Sequence, residues 1–107
     1  MVIVQVSYNY NEDPEVWAKA YTPERARMFA DLPGLEWKIW IDAPEEKRTG
    51  GIYCFRDRAS ADAYLNGPLP DRHRKNPAIS NLTITVSNTR DDMGQITRAP
   101  TKGLANA

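Results

Sequence analysis

The sequence has almost none of the side chains that hold metals or form disulfides: 107 residues include one cysteine, Cys54, and one histidine, His73. A single cysteine excludes an intrachain disulfide, and one His with one Cys cannot supply the usual nitrogen and sulfur ligand set, so no metal is expected. The apolar neighbours Ile52, Tyr53 and Phe55 mark Cys54 as a buried structural thiol. Charge of one sign is not in excess either. Fourteen basic residues balance fourteen acidic ones, which removes the long-range field that would favour nucleic acid or an anionic membrane surface. Hydrophobic residues make up 41% of the chain but never run to spanning length, and the start Met1-Val2-Ile3-Val4-Gln5 has neither the basic nor the long apolar region of a signal peptide. A cytoplasmic protein without membrane or nucleic-acid partners is expected. No internal repeat, low-complexity tract, phosphate-cradling Gly-Lys-Ser/Thr loop or Gly-x-Ser-x-Gly turn occurs.

Large aromatics are concentrated in one region. Gly34-Leu35-Glu36-Trp37-Lys38-Ile39-Trp40 is followed by Gly50-Gly51-Ile52-Tyr53-Cys54-Phe55, two strand-like runs around the charged turn from Ala43 to Arg48. Side chains of this size build either a core or a pocket, and a buried indole N–H or phenol O–H needs a partner. Upstream, Val2, Val4, Val6, Tyr8 and Tyr10 alternate with polar or mixed residues as a first strand. Asp13 and Pro14 then open a helix expected to run to Asp31, interrupted at Pro23, where Thr22 can cap a restart. The second strand alternates Leu35, Trp37, Ile39 and Ile41 on one side with Glu36, Lys38, Trp40 and Asp42 on the other. A third strand covers Thr49 to Phe55, and Asp57 caps a second helix ending at Asn66-Gly67. Pro68 to Pro77 reads as an irregular basic connection with room for a single helical turn. Leu82, Ile84 and Val86 mark the last strand. One domain over 1–96 is expected, followed by a flexible polar tail over 97–107.

The order strand, helix, strand, strand, helix, strand predicts an α+β, ferredoxin-like βαββαβ fold, a four-stranded antiparallel sheet with both helices on one face. The other face then needs a cover, and two such sheets packed face to face supply one. A domain this small also gains from pairing. By strand parity, Trp37 is directed toward the helices, while Lys38 and Trp40 are directed toward a partner subunit.

Gly34-Leu35, Trp37-Lys38-Ile39-Trp40, Gly50-Gly51-Ile52-Tyr53 with Phe55, Ser60 with Ala63-Tyr64-Leu65, and the end Met93-Gly94-Gln95-Ile96 together resemble the YdhR-like monooxygenases of the dimeric alpha-beta barrel superfamily. The resemblance implies a homodimer with an apolar cavity between sheet and helices in each subunit. It also implies oxygenation of a small aromatic, quinol-like or polyketide-like substrate without metal, flavin or haem. Such chemistry needs an aromatic pocket that favours a deprotonated substrate and excludes water. The candidate wall is Trp37, Tyr8, Trp17, Tyr21 and Phe29, with Tyr53 as an O–H able to orient the substrate. His73 is the candidate general base, because its ordinary pKa lies near neutrality. Its neighbours Arg72, Arg74 and Lys75 equally suit a solvent-facing loop, and that placement is poor for a haem ligand. Lys38 and Arg56 are candidate anion stabilisers. An isomerase, cyclase or lyase, or a non-catalytic small-molecule binding protein, fits the same pocket.

Overall fold

The computed structural model describes residues 1–101. In chain order they form β1 (Val2–Tyr10), α1 (Pro14–Ala18), α2 (Pro23–Ala30), β2 (Leu35–Ala43), β3 (Arg48–Phe55), α3 (Arg58–Leu65), α4 (Pro68–Lys75), β4 (Ile79–Asn88) and α5 (Asp91–Ile96). The strands make one antiparallel sheet in the order β2-β3-β1-β4, which is the ferredoxin-like arrangement. The core joins Val2, Val4, Val6, Tyr8, Tyr53 and Phe55 of the sheet to Phe29, Ala61 and Tyr64 of the helices. Among the described residues, no helix is long and apolar enough to cross a membrane.

Local signals account for most of the helix boundaries. The Asp13 side chain accepts from the Glu15 amide at 2.9 Å and Pro14 occupies the first turn of α1. The expected break at Pro23 separates two helices: Thr22 Oγ1 accepts from the Arg25 amide at 3.2 Å, and Pro23 starts α2. Asp57 caps α3 through the Ser60 amide at 2.8 Å. The connection expected to be irregular from Pro68 is instead the eight-residue helix α4. Its prolines 68 and 70 both fall in the first turn, where backbone N–H groups have no intrahelical partner to lose. Its basic residues cluster in the last turn, where the helix dipole favours them, and Lys75 pairs with Asp71 at 2.8 Å.

The largest departure from expectation is in β2. Leu35 pairs with Phe55, but Trp37 pairs with Cys54, Lys38 with Tyr53 and Trp40 with Gly51. Glu36 is therefore an extra residue, a β-bulge, and beyond it every side chain faces the opposite way from simple alternation. Tyr53 and Gly51 stand opposite Val4 and Val6 of β1, whose side chains are in the core. Lys38 and Trp40 thus lie on the helix side. Trp37 lies on the far face, where its indole N–H donates to the Pro100 carbonyl at 2.9 Å.

The C-terminal segment reaches the same far side. A tail was expected from Thr97, and as far as Thr101 the chain packs back on the domain: the Ala99 amide donates to the Gly94 carbonyl at 2.8 Å, and Thr101 Oγ1 lies 3.1 Å from an Asp91 carboxylate oxygen. The remainder of that tail, 102–107, lies outside the described residues. Cys54 is buried, 3.6 Å from the Met1 sulfur, and burial pushes its thiol pKa up to about 11.

Gly50 sets the separation of β3 from β1, since a Cβ there would collide with the Val6 carbonyl oxygen. Gly50→Ala should destabilise the fold by about 1–3 kcal/mol, the usual range for overpacking. A urea unfolding curve with an unchanged midpoint would contradict this reading.

Candidate functional site

Between the sheet and the helices lies a cavity of about 350 Å3 whose walls include Tyr8 of β1, Trp17 of α1, Tyr21 of the α1–α2 connection, Arg25 and Phe29 of α2, and His73 of α4. Arg25 and Phe29 are four residues apart and so share one face of α2, as Leu69 and His73 do on α4. Trp17 stacks parallel on Tyr10 at 4.7 Å between ring centres and meets Tyr8 edge-on at 6.2 Å. The His73 ring lies 4.9 Å from that of Tyr8. The Tyr21 hydroxyl is 2.6 Å from Thr49 Oγ1, which donates to the Ile41 carbonyl at 3.0 Å. This chain fastens the α1–α2 connection to the sheet.

Tyr8, Tyr21, Arg25, Phe29 and His73 also border a recess of about 20 Å3 that reaches down to Lys38, Trp40, Gly51 and Tyr53. The recess has room for about one water-sized group. Lys38 Nζ stands 3.4 Å from the ring centres of Phe29 and Trp40 and 4.7 Å from that of Tyr53. Gly51 makes the space for this, because a Cβ there would approach Lys38 Cε to 2.7 Å. Among the described residues, no carboxylate forms an ion pair with Lys38.

The electrostatics follow from half-buried basic groups held close together. Burial first, and the Arg25 guanidinium second, bring the Lys38 pKa down to about 7. The three rings favour the ammonium and act against that shift, each cation–π contact being worth roughly 0.5–2 kcal/mol. Burial, with Arg25 and Lys38 adding to it, lowers His73 to about 4, which leaves its imidazole neutral at pH 7. Burial also raises Tyr8 to about 12 and pushes Tyr53 well above the ordinary phenol range. Arg25 Nε and Trp17 Nε1 are buried with no hydrogen-bond partner among the described residues. Two unused N–H donors, an amine and aromatic walls suit a planar ring bearing an anionic oxygen.

Of the residues singled out from sequence, Tyr8, Trp17, Tyr21, Phe29 and His73 come together around the cavity, and Lys38 and Tyr53 meet in the recess beneath it. Trp37 does not line this space. The Glu36 bulge turns it to the far face, and it borders a separate cleft of about 210 Å3 at the edge of β2. The expectation that Lys38 and Trp40 face a partner subunit is corrected for the same reason. His73 is a helix residue on the cavity wall and not a solvent-facing loop residue. Arg56 is exposed just beyond β3 and borders neither space. Sequence reasoning missed Arg25, although its spacing of four from Tyr21 and from Phe29 was available as a signal.

The family described as "Putative mono-oxygenase ydhR" matches residues 3–100. No curated protein matches the chain in sequence. Several solved structures share its fold. A "putative antibiotic biosynthesis monooxygenase" from Deinococcus radiodurans superposes with a TM-score of 0.66 at 12% identity, covering 83% of this chain and 92% of that one. A mutant of SnoaB, a cofactor-independent oxygenase from Streptomyces nogalater, gives 0.63 at 15% identity over 83% and 92%. The haem degrader MhuD from Mycobacterium tuberculosis, with two haems bound, gives 0.61 at 15% identity over 84% and 96%.

The lowered His73 pKa predicts a stability effect of definite sign. Between pH 6.5 and 4 the unfolded chain binds the proton that the folded chain refuses, so stability is lost as pH falls through that window. Urea midpoints measured from pH 7 to pH 4 should fall more steeply for the wild type than for His73→Asn. Parallel curves would mean that His73 is not held neutral by burial.

Proposed function

The chain belongs to the family described as "Putative mono-oxygenase ydhR", and on that footing we propose that it is a cofactor-independent monooxygenase for a compact aromatic, quinol-like or polyketide-like substrate. The observation that carries this reading is the Lys38 amine, enclosed by Phe29, Trp40 and Tyr53 beside Arg25 at the foot of an aromatic-walled cavity. An electron-rich phenolate or enolate reduces dioxygen directly, so the protein's task is to generate that anion and keep water from it. In this reading the Lys38 free amine accepts the substrate proton. Its pKa of about 7 matches the operating pH, which is the optimum for a general base. The resulting ammonium, with Arg25, then holds the anion against the rings.

His73 and Tyr53 take other roles than general base in this proposal. A neutral imidazole with lowered proton affinity positions the substrate by hydrogen bonding. Tyr53, buried and stacked parallel to Phe55 at 6.1 Å, forms the floor. The residues do not fit a haem. About 350 Å3 is at the small end of ligand sites, roughly 300–1,000 Å3, and Arg25 and Lys38 beside His73 oppose a ferric centre.

The reading includes a homodimer. The sheet face away from the helices carries Ile3, Ile39, Ile41 and Ile52, with Ile39 half exposed at 50%, and a second copy is the natural cover for such a surface.

Oxygen consumption with anthrones and hydroquinones, metal chelated, should depend on the protein. Lys38→Met should lower kcat/KM about a hundredfold, within the roughly 10²–10⁴-fold span of acid–base catalysis, while Tyr53→Phe should change it little. The wild-type rate should rise with pH and level off above about 7 as Lys38 loses its proton. No protein-dependent oxygen uptake across the panel would refute the oxygenase reading. Sedimentation should give twice the chain mass for the wild type and one chain for Ile39→Glu, and a monomeric wild type would overturn the homodimer.

A further inference from the structure

Lys38 has a second chemical capacity that does not depend on the oxygenase reading. An amine removed from water next to another cation is the environment that turns a lysine into a nucleophile. Here the amine is bounded by the rings of Phe29, Trp40 and Tyr53, with Arg25 from α2, His73 from α4, Tyr8 from β1 and Tyr21 from the α1–α2 connection as the titratable groups around it. The sizes of the two spaces then select the reactant. A ring is too large for the recess of about 20 Å3, but fits the cavity of about 350 Å3 above it. The two spaces share Tyr8, Tyr21, Arg25, Phe29 and His73 among their lining residues, so a ring held in the cavity would present to the amine only a small group such as a carbonyl, which the recess can take.

We propose that Lys38 is a carbonyl-capturing nucleophile, which binds aromatic aldehydes in the cavity and condenses with them to an imine. The Nζ lone pair adds to the carbonyl carbon while the C=O π electrons move to oxygen. The two protons of the amine leave with that oxygen as water, and the C=N bond forms. No electrons are gained or lost, and hydrolysis reverses the step. Arg25 is a positioning residue here: its fixed charge disfavours the ammonium, and its unpartnered Nε–H is available to the carbonyl oxygen.

The experiment treats the full chain with benzaldehyde and sodium cyanoborohydride, which reduces the imine to a stable benzyl amine, followed by peptide mapping by mass spectrometry. At pH 7, Lys38 should be labelled at least tenfold faster than the exposed Lys19, Lys47 and Lys75. The ratio of its rate to theirs, in which the reductant's own dependence on imine protonation largely cancels, should fall as pH rises from 7 toward 10, near the ordinary lysine value of about 10.4. Arg25→Gln should shift that fall to higher pH without changing the rates of the other lysines, an effect that loss of packing alone does not produce. Labelling of Lys38 no faster than the exposed lysines, or a ratio that does not change with pH, would overturn the proposal. Because the mapping is done on the wild type, the result does not depend on any variant folding, and it is independent of oxygen uptake.

Discussion

A half-buried lysine amine held among aromatic faces and beside an arginine is the constraint to which the rest of the site conforms. Several separate features must coincide for it to exist. Glu36 must be bulged for Lys38 to face inward. Residue 51 must lack a side chain for the lysine stem to lie across β3. Helix α2 must deliver Phe29 as a lid and Arg25 as a neighbouring charge. Each alone is ordinary, and together they lower the proton affinity of the amine below that of a lysine in water. That no carboxylate among the described residues forms an ion pair with Lys38 matters equally, because an ion pair would favour the charged amine.

The far side of the sheet obeys a different logic. Trp37 is spent there on a hydrogen bond to Pro100, and the segment after β4 is tied to the chain start through Thr89 and Met1. Cys54, buried beneath this covering, is chemically quiet. Lys38, Arg25 and His73 therefore lie on one side of the sheet and the anchored Trp37 on the other, with the strands as partition.

Much of the fold was legible in the sequence because local chemistry and global packing agree. Alternation in β1, the Asp13, Thr22 and Asp57 caps and the break at Pro23 all mean in the structure what they mean in isolation. Aromatic cavity residues on β1, α1 and α2 were legible for the same reason. Reading failed where one residue changes parity. Glu36 carries no mark of a bulge, and a period-two pattern extended past it assigns Trp37 and Lys38 to each other's faces. It failed again at α4, where two prolines read as breakers although both sit in the first turn, and so His73 was placed in a loop. Arg25 escaped notice because an arginine on a short helix ordinarily faces solvent, and only the fold brings Lys38 and His73 to meet it.

The bulge at Glu36 also determines how this chain can be compared with others. Substitutions change a strand gradually, but gain or loss of one residue ahead of Trp37 exchanges the entire inward and outward sets of β2 at once. An alignment that passes through this point without a gap would pair a cavity residue of one chain with an anchoring residue of another, while still counting each match as identity. The useful question about a related chain is therefore the number of residues between its glycine turn and its lysine, since that interval decides which side of the sheet receives the amine.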